Sequence, residues 1–162
     1  MITRHDLETT LAALLPRLSV TCHPWWILGS AAVVLHGGDP DEVLDVDVLL
    51  DRRDVPAVFA ALGLTPRSGV PDGKFRSEVF HRWNLAALPV ELFAGFCLFE
   101  QGGWHELVPQ TRVAIAVGEG MAYVPDQDEL TAILRRFGRP KDQRRIAALS
   151  RISPSPSRSE SA

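Results

Sequence analysis

Two aspartates one residue apart, Asp45 and Asp47, interrupt an otherwise apolar run from Leu44 to Leu50. Side chains alternate faces along a strand, so both carboxylates point one way while Val46 and Val48 point the other. Like charges held that close raise each other's pKa and oppose folding unless a cation lies between them. Mg²⁺ suits the task, because it takes hard oxygen ligands and combines one or two carboxylates with the phosphates of a nucleotide. Upstream, Gly29-Ser30 follows the apolar Trp25-Trp26-Ile27-Leu28 and opens a helix. Glycine admits close backbone approach, and free amides at a helix start attract phosphate. A third acid, Glu91, stands inside the strand-like Pro89-Val90-Glu91-Leu92-Phe93. Singly, an Asp-x-Asp pair is often a solvated strand face, and serine is simply a good helix cap. Three acids on neighbouring strands downstream of Gly-Ser point instead to a site for metal and nucleotide together.

These motifs resemble the nucleotidyltransferases of the DNA polymerase beta type: apolar-Gly-Ser, then acid-apolar-acid on a strand, then a later strand bearing a third acid. Pro24 to Ala32 is similar to the small aminoglycoside and lincosamide nucleotidyltransferases. Glu129-Leu130, Gly138-Arg139-Pro140-Lys141-Asp142 and Ile146 to Leu149 are similar to the tail of AbiEii-type nucleotidyltransferase toxins. The resemblance implies an α/β (α+β) nucleotidyltransferase fold, a mixed twisted sheet flanked by helices with a small C-terminal helical segment. It implies that Asp45, Asp47 and Glu91 are catalytic and hold Mg²⁺. Gly29 and Ser30 would hold the phosphates of a nucleoside triphosphate, ATP being the expected one, and a hydroxyl of a small-molecule acceptor would receive the nucleotide. The basic and hydroxyl residues that many relatives carry before the acid pair are here Pro40 to Leu44. Two other readings therefore stay open: a toxin-like enzyme acting on RNA, and a non-catalytic binding module.

The elements that must position these residues follow from periodicity. Leu7, Leu11, Leu14, Leu15 and Leu18 predict a packing helix over residues 3–19, with Thr3 and Asp6 as start signals. Thr21 to Leu28 reads as a strand, Ala31 to His36 as a buried helix ended by Gly37-Gly38, Asp39 to Glu42 as a polar loop, and Leu44 to Leu50 as the acid strand. Val55, Val58, Phe59 and Leu62 mark a helix capped by Asp51 or Asp54 and stopped by Gly63. Lys74 to Trp83 reads as a half-exposed strand paired with Asn84 to Phe93, and Gly95 to Gly103 as a turn region. Lys74, Arg76 and Arg82 are the nearest basic residues in sequence to the acids, and a triphosphate needs cationic partners. Lys74 and Arg76 are thus candidates for the nucleotide, with a solvated strand face as the competing explanation. A hairpin around Gly118-Glu119-Gly120 and helices over 127–137 and 140–151 complete the chain. His36 is expected to be a satisfied helix-end histidine, and the two tryptophans of the first strand to pack in the core.

With 162 residues, 46% apolar and 23% charged, residues 1–152 suit one domain, and the Ser/Pro-rich 153–162 is expected to be disordered. A net charge of −3 argues against a general nucleic-acid grip. Cys22 and Cys97 lack metal-ligand spacing and are expected to be free buried thiols in a cytoplasmic protein, without signal peptide or membrane segment.

Overall fold

The computed structural model describes residues 4–40, 42–43 and 45–152. Thr3, Asp41, Leu44 and the 153–162 segment lie outside the described residues. Helix α1 (Arg4–Leu18) buries Leu7, Leu11, Leu14, Leu15 and Leu18, the stripe that its sequence spacing predicts. Strand β1 (Trp26–Leu28) leads directly into α2 (Gly29–Leu35). The strand expected from Thr21 is shortened because Asp54 captures the preceding segment, accepting the amides of Cys22 at 3.0 Å and His23 at 2.9 Å. That capture leaves Cys22 exposed rather than buried, while Cys97 is half-buried; both are free. Trp25 is buried, and Trp26 donates its indole N–H to the Thr111 carbonyl.

Strand β2 (Val46–Leu50) is followed by a short 3₁₀ turn (Arg52–Asp54) and α3 (Val55–Leu62). Asp51 caps the 3₁₀ turn by accepting the Arg53 amide, whereas Asp54 holds the N-cap position of α3 without a side-chain cap bond, so neither carboxylate caps the helix itself. The Lys74–Trp83 stretch divides into β3 (Phe75–Arg76) and β4 (Val79–Trp83), which join different sheets. Alternation alone cannot name a strand's partner, and here the chain crosses between sheets at Ser77-Glu78. Strand β5 (Val90–Ala94) begins later than expected, since residues before it form a turn whose Leu88 amide is held by the Thr10 hydroxyl of α1. The region expected to be a turn is a hairpin, β6 (Cys97–Glu100) and β7 (Gly103–Glu106). Its tip, Gln101-Gly102, has positive φ at both residues, the backbone of a two-residue hairpin turn without the usual asparagine or aspartate. Strands β8 (Val113–Val117) and β9 (Gly120–Val124) form the expected hairpin. Helix α4 (Gln127–Phe137) starts at Asp126, whose carboxylate accepts the Glu129 amide, and ends at Gly138 in the left-handed conformation. Helix α5 (Pro140–Ser150) follows at once.

The main sheet has the order β1-β2-β5-β4, with β2 and β5 parallel and both outer pairs antiparallel. Its register aligns Leu28, Asp47, Glu91 and Arg82 in one transverse row. Val46, Val48, Val90 and Leu92, on the opposite face from that row, are fully buried in the core. On the row's own face, Phe93 and Phe80 stack two residues further along their strands. No helix among the described residues is long and apolar enough to cross a membrane.

Candidate active site

Parallel pairing of β2 with β5 makes Asp47 and Glu91 direct neighbours, and Asp45 lies two residues before Asp47 on the same side. One oxygen from each of Asp45, Asp47 and Glu91 lies within 4.8 Å of the others. The Asp47 carboxyl is pushed well above its ordinary pKa, first by loss of hydration, then by the charges of Asp45 and Glu91 and a hydrogen bond with Glu91. Asp45 is raised as well, by burial and then by Glu91, against the pull of Arg145, Arg82 and Lys141. Three half-buried carboxylates that repel one another form a hard-oxygen donor set that fits a divalent cation such as Mg²⁺.

The Gly29 turn closes the other side of the cluster. At φ +69°, Gly29 lets the chain leave β1 and enter α2 while its backbone abuts Asp47; a Cβ there would lie 2.8 Å from Asp47 Oδ2. The same Cβ position is 3.9 Å from Arg145 Nη1, which places a guanidinium of α5 over the turn. Ser30, buried, occupies the next residue of α2.

Arg145 is itself held. The fully buried Asp142 accepts hydrogen bonds from Arg145 Nη1 at 3.3 Å and from the backbone amide and guanidinium of Arg139. Two guanidinium groups thus share one carboxylate at the start of α5. On the other flank, Arg82 Nη2 donates to Glu91 Oε1 at 2.6 Å. The sequence signals Arg82 only as a basic residue near the acids, since its alignment with Glu91 depends on a β4–β5 register that the intervening turn conceals. Arg145 is hidden among several C-terminal arginines; its spacing of three residues from Asp142 on one helix face is the signal that distinguishes it.

A cleft of about 680 Å³ opens beside the acids, with Asp47 and Glu91 on its floor. Arg76 lines it, its guanidinium 4.7 Å from the centre of the Trp104 ring. Lys74 does not; its Nζ lies near Gly138 at the α4–α5 junction, and its charge acts on Glu100. His36 is buried, with Nε2 2.7 Å from the Pro125 carbonyl oxygen, as a packed helix-end histidine should be. A second hollow, about 1230 Å³ between α1 and the β8–β9 hairpin, is lined by none of the three acids.

No family model and no curated protein matches this chain. Solved structures do. A Thermotoga maritima protein provisionally assigned as a nucleotidyltransferase is 19% identical, with 88% of this chain and 91% of that one covered at a TM-score of 0.69. The lincosamide antibiotic adenylyltransferase LnuA, solved with lincomycin, is 15% identical over 94% of this chain and 99% of its own, with a TM-score of 0.58. The antibiotic-resistance factor ANT(2″)-Ia, solved with adenylyl-2″-tobramycin, is 10% identical over 91% and 88%, with a TM-score of 0.57. The chain therefore has the α+β fold of the nucleotidyltransferases.

Proposed function

We propose that this chain is a metal-dependent nucleotidyltransferase that moves a nucleoside monophosphate from a nucleoside triphosphate, ATP in the first instance, to a hydroxyl of a small-molecule acceptor. The observation that carries the reading is the convergence of Asp45, Asp47 and Glu91 against the Gly29 turn. Asp45, Asp47 and Glu91 would hold Mg²⁺, which when bound neutralises phosphate charge and aligns the triphosphate. The backbone at Gly29 and Ser30 receives the β- and γ-phosphates, with Arg145 as a fixed cation over the turn. Glu91 accepts the proton of the acceptor hydroxyl. The oxygen so released forms a bond to the α-phosphorus as the α–β bridging bond breaks, and pyrophosphate leaves. Arg82 orients the Glu91 carboxylate through the 2.6 Å hydrogen bond. The adenylyltransferase named among the structural neighbours supports this class of reaction.

Calorimetry with Mg²⁺ and a non-hydrolysable ATP analogue tests the reading. Binding by the intact protein that disappears in Asp47→Asn is the expected result, and failure of the intact protein to bind would leave the fold as a binding module. A second reading, transfer to RNA, is favoured by the exposed Arg135, Lys141 and Arg144 of α4 and α5. Strongly salt-dependent RNA binding would select it.

A further inference from the structure

The free edges of the sheets differ in how they are guarded. An edge strand offers unpaired amides and carbonyls to any other chain, and proteins blunt that offer with charge, proline, bulges, shortness or cover. Strand β7 carries His105 and Glu106, and β4 carries Arg82 and lends its Phe80 amide to the Arg67 carbonyl. Strands β1 and β3 are only three and two residues long. Strand β8, Val113-Ala114-Ile115-Ala116-Val117, has none of these devices: it carries no charge and no proline, and its register with β9 is unbroken. Beyond its pairing with β9, no backbone hydrogen bond among the described residues reaches it.

The groups that β8 leaves open follow from its turn. Val117 pairs with Gly120 across the two-residue turn Gly118-Glu119, the position at which an antiparallel pair exchanges both bonds. Val113, Ile115 and Val117 therefore spend their amides and carbonyls on β9, and those of Ala114 and Ala116 point away from the hairpin. Both alanines are exposed, and their methyl groups leave room for another backbone to close on them. On their face, Met121 stands opposite Ala116 and is itself an exposed large apolar side chain.

We propose that β8 pairs antiparallel with the β8 of a second copy of this chain, about a two-fold axis at Ile115. The strand reads the same in both directions, so the axis sets Val113 of one copy opposite Val117 of the other, Ala114 opposite Ala116, and Ile115 opposite Ile115. Ala114 and Ala116 then exchange amide and carbonyl on both sides of the axis, using the groups that the hairpin leaves open. The row Met121-Ala116 continues into Ala114 and Tyr123 of the other copy, which covers apolar surface that is exposed in one copy alone. The charged residues flanking the strand, Arg112 and Glu119, are opposite in sign, so antiparallel pairing sets each toward its complement. That attraction acts at a distance, because the Arg112 guanidinium lies over its own Tyr123 ring. An unrelated extended peptide would find the same backbone groups but not the matched side chains. None of the three acids belongs to this surface, so the proposal stands apart from the transfer reading.

Pairing of one short strand buries little area, so a weak, exchanging dimer is expected. Sedimentation velocity on the whole protein from about 5 to about 500 μM should show a dimer that grows with concentration. Over the same range, hydrogen exchange resolved by NMR should slow at the Ala114 and Ala116 amides and stay unchanged at Val113, Ile115 and Val117, which are already bonded to β9. Ala114→Lys/Ala116→Lys puts lysines opposite lysines across the axis, and Ala114→Glu/Ala116→Glu does the same with acids. Each variant should melt near the parent, since both positions are exposed, and dimerise about tenfold more weakly or worse, whereas an equimolar mixture of the two should dimerise again. A protein that stays monomeric throughout, a dimer undiminished in both charge variants, a mixture that remains monomeric, or protection gained elsewhere in place of Ala114 and Ala116 would each overturn the proposal. Where a variant fails to fold, the exchange measurement on the parent decides.

Discussion

Gly29 and Asp47 are so closely packed that a methyl group on Gly29 would lie 2.8 Å from Asp47 Oδ2. The contact fixes two properties of the site at once. The β1–α2 turn and the β2 strand cannot move independently, and residue 29 must be a glycine, since its φ of +69° disfavours any side chain as well.

Gly29→Ala should therefore fold with reduced stability, about 1–3 kcal/mol from the strained backbone and the displaced carboxylate. Its affinity for Mg²⁺ with the ATP analogue should fall by tenfold or so, equivalent to roughly 1.4 kcal/mol. Thermal melts and calorimetry on the same preparations check both. An alanine variant that binds the analogue normally would separate the turn from the site.

Asp47→Asn carries the opposite signature for stability. The metal-free protein holds Asp47 as a desolvated carboxyl beside Asp45 and Glu91, so removing its charge relieves repulsion at neutral pH. Without metal the variant should melt at or above the temperature of the parent. Adding MgCl₂ should raise the melting temperature of the parent, because only the folded state gathers the three acids, and should leave the variant unmoved.

The acid limb of the stability curve is expected to involve Asp54. Burial pushes its carboxyl up, but the amide of Cys22 and the ring and amide of His23 outweigh that and leave it below its ordinary value. A carboxyl lowered in the folded state stabilises the protein above the unfolded pKa, near 3.9, and loses that contribution as pH falls through the folded value. Asp54→Asn should cost about 1–3 kcal/mol at neutral pH by removing a buried acceptor. Denaturant titrations from pH 7 to pH 2 should then give the variant a flatter decline below about pH 5.

Much of the geometry around these acids is legible in the sequence. Strand alternation put Asp45 and Asp47 on one side, and the Gly-Ser turn was placed by glycine's backbone freedom. The helices α1, α4 and α5 were visible in their periodicity and their caps. What was not legible depends on pairing between distant segments. The division of Lys74–Trp83 between two sheets, the Arg82–Glu91 alignment and the capture of Cys22 and His23 by Asp54 each join residues whose local sequence is indifferent to the choice. The β6–β7 hairpin is hidden in the sequence for a local reason: glutamine seldom takes the positive φ found at Gln101.

Arg82→Gln separates positioning from architecture. Arg82 is half-exposed, and its pair with Glu91 crosses the edge of the sheet. A surface pair of this kind contributes on the order of 0–1 kcal/mol, so the melting temperature should change little. If the guanidinium orients Glu91 toward the acceptor hydroxyl, turnover should fall several-fold while the affinity for Mg²⁺ and the ATP analogue is retained. Arg82→Lys, which keeps a charge but loses the planar fork, should recover part of the lost turnover without altering nucleotide affinity.

Asp142→Ala tests the scaffold behind the Gly29 turn. Asp142 has no exposed surface and receives Arg139 and Arg145, whose side chains are 33% and 14% exposed. Removing the carboxylate leaves Arg145 largely buried without its partner and deprives the first turn of α5 of an acceptor for the Arg139 amide. Loss of one partner of a buried pair costs roughly 3–5 kcal/mol, discounted here because Arg139 can turn to solvent, so a loss of about 2–4 kcal/mol is expected. Arg145→Ala, by contrast, leaves Asp142 paired with Arg139. It should reduce affinity for the ATP analogue more than it reduces stability. The reverse order for those two variants, measured by calorimetry and denaturant melts, would make Arg145 a strut of α5 rather than a cation for the triphosphate.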